Sequence, residues 1–329
     1  MLRKSFIKTG LALVMLSSLI LSACAQPAQP GASQTQAQGE AVTIRMALLP
    51  ILDTLPMYVA QQENLFAKHG VKVELIPVRS APERDQLIST GQADGMINEI
   101  VSTIFYNKDK IQVQIVRFAR TATPEAPLFR ILASGKSDIK SVNDLKGVPI
   151  GVSEGTVIEY LTYRLLKEEG FSDDEIKTVA VPDISARMAL LGTGELKAAM
   201  LPEPLSSLGV QQGARVILDD SSHPEFSYST IAFRKTFIDQ NPQAVRRFLA
   251  AIEDATAMIN ADPSKYSNLL SKQQLVPKPL EGSFDVPKFV TASVPNEAQW
   301  NDVASWAKSK GLLDKEVSYS QSVDASYLP

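Results

Sequence analysis

Four carboxylates, Asp53, Glu99, Asp183 and Glu203, each stand where a short apolar run gives way to a helical pattern. In an open α/β sheet these are the carboxyl ends of strands, outside which ligands bind. Asn98 precedes Glu99, Thr54 follows Asp53, and Ser80 and Gly155-Thr156 open two predicted helices, so N–H groups and positive dipole ends are expected in the same gap. Against the carboxylates stands one strand-end cation, Arg79. Such a gap suits a solute that donates hydrogen bonds, for example an aminopyrimidine or another nitrogen heterocycle. A desolvated anion would there meet like charge. Tyr58, Phe105, Tyr160 and Tyr228 offer stacking faces. The bland alternatives stay open: Ser80, Asn98, Thr156 and Asp183 as helix caps, Glu99 and Glu203 as solvated helix starts, Tyr160 and Phe105 as core, and Arg117 and Arg120 as surface or interlobe charges.

Little else in the chain suggests catalysis. The sequence has two histidines, His69 and His223, far apart and without ligand-spaced neighbours, so neither a metal site nor histidine acid–base chemistry is expected. There is no phosphate-cradling glycine loop and no nucleophile elbow, and no cofactor is expected.

The elements that must position these residues alternate between strand and helix, the mark of an α/β protein with largely parallel sheets. Val42–Leu48 reads as a first strand, followed by a helix from about Pro56 to Gly70, a strand over Val71–Val78, a capping box at Ser80…Glu83, and a third strand at Gly95–Ile97. At an offset of 103 residues the pattern returns. Ile88-Ser89-Thr90-Gly91-Gln92 aligns with Leu191-Gly192-Thr193-Gly194-Glu195, and Thr156…Glu159 gives a second capping box. Two similar lobes follow. After Tyr228 long helices take over: one opens at Asn241-Pro242 with Val245, Phe248, Leu249, Ile252, Thr256 and Ile259 on one face, and another spans roughly Asn296 to Lys310.

Arg3, Lys4 and Lys8 precede an apolar run from Leu11 to Leu21, which is too short to span a bilayer and reads as a signal peptide over 1–23. Leu21-Ser22-Ala23-Cys24 resembles the lipobox of bacterial lipoproteins, which implies a lipid on Cys24, the only cysteine. Residues 24–40 hold no large apolar side chain and read as a flexible tether. The full chain carries a net charge of −3, and removing three basic residues with the leader leaves 30 − 36 = −6. That balance argues against nucleic acid as a partner.

Pro56-Met57-Tyr58-Val59-Ala60 with Asn64 to Leu75, Gly91-Gln92-Ala93-Asp94, the block from Ile139 to Val152, and Asn241-Pro242 with Phe248 to Ala251 resemble the solute-binding proteins of ABC importers. The branch is the NMT1/THI5-like one, for nitrate, sulfonates, taurine and thiamine-precursor pyrimidines. The resemblance implies a periplasmic-binding-protein type II fold, with two Rossmann-like lobes, a ligand cleft and two hinge crossings, near Arg120 to Pro127 and near Asp219 to Tyr228. Lobe 1 is then 41–122 plus 226–329, and lobe 2 is 123–225. It also implies a monomeric, membrane-anchored extracytoplasmic protein that delivers a small molecule to a permease and ATPase. Asp53, Thr54, Tyr58, Ser80, Asn98, Glu99, Gly155, Thr156 and Glu203 are the expected ligand contacts. Sulfonate, taurine or nitrate binding, a sensor role, and a pyrimidine- or menaquinone-pathway enzyme on the same fold remain as alternatives.

Overall fold

The computed structural model describes residues 42–329, so the signal peptide, Cys24 and the whole tether lie outside the described residues. Ten strands form two five-stranded sheets. The first holds β1 (Thr43–Leu48), β2 (Lys72–Pro77), β3 (Gly95–Asn98), β4 (Val113–Thr121) and β10 (Tyr228–Arg234). The second holds β5 (Phe129–Ala133), β6 (Pro149–Val152), β7 (Lys177–Ala180), β8 (Ala198–Pro202) and β9 (Arg215–Asp219). Their orders are β2-β1-β3-β10-β4 and β7-β6-β8-β5-β9. In each, three strands run parallel and a fourth, antiparallel one joins them to the fifth. That fourth strand, β10 or β5, is the one the chain enters on arriving from the other sheet. The two sheets and the helices around them make a periplasmic-binding-protein type II fold, as expected.

The first half carries α1 (Leu55–Gln62), α2 (Leu65–Lys68), α3 (Ala81–Ser89) and α4 (Ile100–Asn107); the second sheet carries α5 (Val157–Glu168), α6 (Ile184–Thr193) and α7 (Leu205–Gln211). After β10 come α8 (Lys235–Gln240), α9 (Pro242–Ala261), α10 (Ser267–Lys272), α11 (Glu297–Ser309) and α12 (Tyr319–Ser322). The 103-residue repeat holds in space, pairing β2 with β7, α3 with α6 and β3 with β8. Both expected capping boxes close one residue early. Ser80 and Thr156 each accept an N–H of their own first turn, but Glu83 takes the N–H of Arg79 (2.8 Å) and Glu159 that of Gly155 (2.7 Å). The helix expected to run unbroken to Gly70 divides at Asn64, whose left-handed φ of 59° cannot continue a right-handed helix.

Packing follows the apolar stripes. Val245, Phe248, Leu249, Ile252, Thr256 and Ile259 are all buried on α9. Phe248 stacks on Phe66 (5.5 Å) and meets Phe233 edge-on (5.4 Å). β3 passes so close to its neighbours that a Cβ on Gly95 would lie 2.5 Å from Met46 Sδ, so only glycine fits. Two apolar clusters each draw on both sheets, one joining Met46 and Phe248 to Leu132 and Leu201, the other joining Met96 and Ile104 to Ile150 and Leu161. On one side α11 is tied to α5: Asp302 accepts the Tyr160 hydroxyl and lies 3.2 Å from Arg164 Nε, and the Arg164 guanidinium covers the Phe226 ring at 4.3 Å.

The chain crosses between sheets twice, from Thr121 to Phe129 and from Asp219 to Tyr228. Asp220 joins the crossings. Its carboxyl accepts the N–H groups of Leu128 (3.0 Å) and Phe129 (3.0 Å) and the Ser227 hydroxyl. Arg117 and Arg120 are not surface charges. Arg117, fully buried, holds Glu253 on α9, the carbonyls of Phe118 and Val290, and Thr256. Arg120 reaches the Pro127 carbonyl (3.3 Å) and Asp53 (3.5 Å).

Candidate functional site

The carboxyl ends of β1, β3, β6 and β8 converge on a cavity of about 50 Å³. Space of that size holds only a few waters. Asp53, Arg84, Asn98, Glu99 and Ser229 face it from the first lobe, and Ser153, Thr156 and Arg187 from the second. Ile51, Ile97, Phe129, Pro182, Ile184 and Pro202 complete an apolar wall. Polar groups in such a wall lose water and must find partners or await a ligand.

Of the residues singled out in the sequence, the cavity brings together Asp53, Asn98, Glu99 and Thr156. Thr54 stays behind the wall, fully buried, its hydroxyl given to the Ile51 carbonyl (2.8 Å). Tyr58 is half-buried on α1, and Ser80 serves as the cap of α3. Gly155 occupies the turn before α5 at φ +67°, with Phe105 packed over it. Glu203 lies one residue beyond Pro202 and is held by Arg130 and by the Ser206 hydroxyl (2.6 Å). Asp183 caps α6 through the Ala186 N–H (2.8 Å).

The electrostatic balance differs from the one read along the chain. Each cavity carboxylate has a basic partner from elsewhere in the sequence. Glu99 caps α4, accepting the Ser102 N–H (3.0 Å) and the Ser102 hydroxyl, with Arg84 Nη2 at 3.9 Å. Burial raises its carboxyl above the usual range, against the pull of Arg84 and Ser102. Asp53 faces Arg120. Arg79, the cation counted in the sequence, points into solvent with a side chain 84% exposed. The carboxylates therefore do not set the charge of the cavity.

The cation that does is Arg187, which stands at the repeat position equivalent to Arg84. Both are buried on an apolar helix face, Arg84 between Ala81 and Ile88, and Arg187 between Ile184 and Leu191. Arg84 donates to Asp85 (2.8 Å), Ser102 (2.9 Å) and the Ile97 carbonyl. Desolvation would lower its pKa, but Asp85 and Glu99 outweigh it and hold the value above normal. In the second repeat the positions of Asp85 and Glu99 are taken by Met188 and Pro202. Arg187 Nη1 reaches the Ser153 hydroxyl (3.0 Å) and the Val181 carbonyl (3.2 Å), while Nε and Nη2 have no partner. Burial pushes it down to about 10, with only Asp183 opposing, so it remains a cation at neutral pH. A basic residue on the apolar stripe of a helix was the available signal, and strand-end counting passed over it.

Asn98 carries the complementary feature. Thr103 gives its single hydroxyl hydrogen to the Glu99 carbonyl (2.8 Å), so it can only accept from Asn98 Nδ2 (2.9 Å). That fixes the amide. Asn98 Oδ1 is left buried and without a partner, as is the Ser229 hydroxyl on the same wall.

A family model described as NMT1/THI5 like matches residues 52–266. The chain is 24% identical over 226 residues to a candidate binding protein of Brucella abortus (strain 2308), covering 65% of itself and 66% of that protein's length. It is 24% identical over 355 residues to the riboflavin-binding protein RibY of Chloroflexus aurantiacus, at 97% coverage of both. The crystal structure of the periplasmic aliphatic sulphonate binding protein SsuA from Escherichia coli superposes with a TM-score of 0.70 at 21% identity, over 85% of this chain and 96% of that one. The desulfurization enzyme DSZB has the same fold, with a TM-score of 0.64 at 15% identity over 87% and 97%.

Proposed function

The chain belongs to the NMT1/THI5-like family, and from that premise we propose that it is the extracytoplasmic solute-binding component of an ABC importer. One observation carries the reading: the cavity is walled by both lobes at the carboxyl ends of their strands. A solute seated there must touch both, and its binding energy can draw them together. A cavity this small admits a solute only when the lobes part, with motion at the two crossings. The closed form would be what a permease recognises. Relatives of this length include binders of riboflavin and, by fold, of aliphatic sulphonates. The free Asn98 acceptor favours a solute with an N–H or O–H donor, as in the nitrogen heterocycles first expected.

Capture fits the wall better than catalysis. A general base needs a carboxylate or imidazole free to take a proton. Glu99 is engaged by Ser102 and Arg84, Asp53 faces Arg120, and both histidines lie elsewhere, beside Asp254 and Glu225.

Saturating solute should lower the radius of gyration in small-angle scattering. At 100 times its dissociation constant it should also add about 2.7 kcal/mol of stability, or roughly 4–5 °C in Tm for a chain of this size. Binding with an unchanged radius would rule out closure. We further propose that Cys24 bears the lipid that holds the protein at the membrane, with residues 24–40 as its tether. Cys24→Ala should then leave the membrane fraction, and its full retention there would exclude this anchor.

A further inference from the structure

The helix that opens on the cavity also carries a contact between the two halves of the fold. At its N-terminal end, Thr156, Val157 and Ile158 of α5 and its cap line the cavity. A turn further on, the same helix turns Tyr160 and Arg164 toward α11, which packs beside α4 of the first sheet. A helix moves as a rod, so lobes that part to admit a solute must part this seam too. The seam is attractive. Asp302 accepts the Tyr160 hydroxyl and stands 3.2 Å from Arg164 Nε. The Tyr160 ring meets Trp306 edge-on (5.5 Å), and the Arg164 guanidinium covers Phe226 of the second crossing (4.3 Å).

It is also incompletely satisfied. Among the described residues, the Tyr228 hydroxyl, Trp306 Nε1 and Arg164 Nε are buried without a hydrogen-bond partner. Arg164 Nε lies near Asp302 but off the line of a hydrogen bond. Tyr228, the first residue of β10, feels the charge of Asp302 across the seam. Burial raises the Tyr160 and Tyr228 phenols above their usual range, so both stay neutral hydroxyls. Each unmet donor gives up its hydration when the seam closes, and water restores it when the lobes part.

We propose that the α5–α11 seam is a reversible latch that sets the affinity for solute from outside the cavity. Asp302 and Tyr160 are positioning residues that favour the closed form. The unpaired Tyr228 and Trp306 donors favour parting, so the ligand-free protein populates both forms. This rests on the solute-binding reading and adds to it a closing force that no solute contact supplies.

The first test needs no ligand. The chain has two tryptophans, both on α11. Trp300 donates Nε1 to the Val317 carbonyl (3.0 Å), whereas Trp306 borders Tyr160 in the seam. Acrylamide quenching of tryptophan fluorescence therefore reads the seam, with Trp306→Phe identifying the Trp300 share. Tyr160→Phe removes one hydrogen bond to a charged group and should move the equilibrium about tenfold toward open. Quenching and the radius of gyration should both rise. Tyr228→Phe removes an unmet hydroxyl and keeps the ring, so it should move the equilibrium about fivefold toward closed, and both readings should fall.

The second test is affinity, with nitrate, ethanesulfonate, riboflavin and the aminopyrimidine cytosine as probes. From comparable populations, a tenfold shift toward open cuts the closed fraction from about a half to about a tenth and weakens binding about fivefold. A fivefold shift toward closed can tighten it by no more than about twofold. Whichever probe contracts the parent should show this asymmetry between Tyr160→Phe and Tyr228→Phe. Variants that leave quenching and radius unchanged, or that move both the same way, would make the seam static packing and overturn the latch, even where a probe still contracts the parent. A seam that responds as expected in a protein that none of the probes contracts would uphold the latch and count against the solute-binding reading alone.

Discussion

Arg117→Ala is expected to lower the unfolding free energy by about 3–5 kcal/mol, because breaking a buried ion pair leaves its partner uncompensated. Arg117 is fully buried, and its guanidinium ties β4 to Glu253 and Thr256 on α9 and to the Val290 carbonyl in the segment before α11. Truncation strands the Glu253 carboxylate, whose one remaining contact is the Ala292 N–H at 3.1 Å. It also frees two carbonyl oxygens in a site that water cannot readily reach. Chemical denaturation would read the change as a lower midpoint with an unchanged slope. Replacing Arg117 and Glu253 together by Met and Gln should recover part of the loss, since the pair costs desolvation when intact. A single variant within 1 kcal/mol of the parent would mean that the network contributes little.

The second large effect is expected at Asp220, where one carboxyl joins both crossings. Asp220→Ala leaves the amides of Leu128 and Phe129 and the Ser227 hydroxyl without an acceptor. At about 1–3 kcal/mol for each buried unsatisfied group, a loss of about 3–5 kcal/mol is expected. The same residue predicts a pH dependence. Burial pushes the Asp220 carboxyl up to about 6, with Ser227 and the Phe129 and Leu128 amides pulling the other way. A folded value above the reference 3.8 means that the folded protein holds this proton more tightly than the unfolded chain. Its contribution is complete below about pH 4 and is lost as the pH rises through about 6, a swing of at most about 3 kcal/mol. The melting temperature of the parent should therefore fall relative to that of Asp220→Asn as the pH rises from 4 to 7. A rise relative to the variant would mean that the ionised form is the one the hinge holds.

Much of the fold was legible because its signals are local. Alternating runs, the Ser80 and Thr156 caps and the stripe on α9 need only a few consecutive residues to be read. The constant offset of 103 residues then predicted two like lobes, and the sheets agree in order. The helix break at Asn64 escaped notice because the apolar spacing continues through it. The site was harder to read, since its charges are balanced from a distance. Glu203 finds Arg130 on β5, and Asp53 finds Arg120 on β4. Proximity along the chain indicates neither pairing, so four carboxylates looked opposed by Arg79 alone. Arg84 and Arg187 were hidden for the opposite reason, since a charge on the apolar face of a helix reads as an interruption until the fold turns that face toward a cavity.

The place of β10 also fixes the order in which the molecule can be built. The second sheet is continuous in sequence. Its joining strand β5 emerges first, and β6, β7, β8 and β9 find all their partners within the same unbroken stretch of chain. The first sheet is the reverse. β4 touches the rest of it only through β10, which leaves the ribosome after the whole second sheet has been made. Until then Val113–Thr121, buried along most of its length in the native fold, has no strand to pair with. Closing the first sheet therefore waits on a contact of very long sequence separation, the kind that slows folding most. Under the proposed extracytoplasmic role the chain would be threaded through a membrane, and a leading half unable to fold early would then be an advantage. The same delay leaves an apolar strand exposed for longest, which makes β4 the segment most in need of a chaperone during the journey.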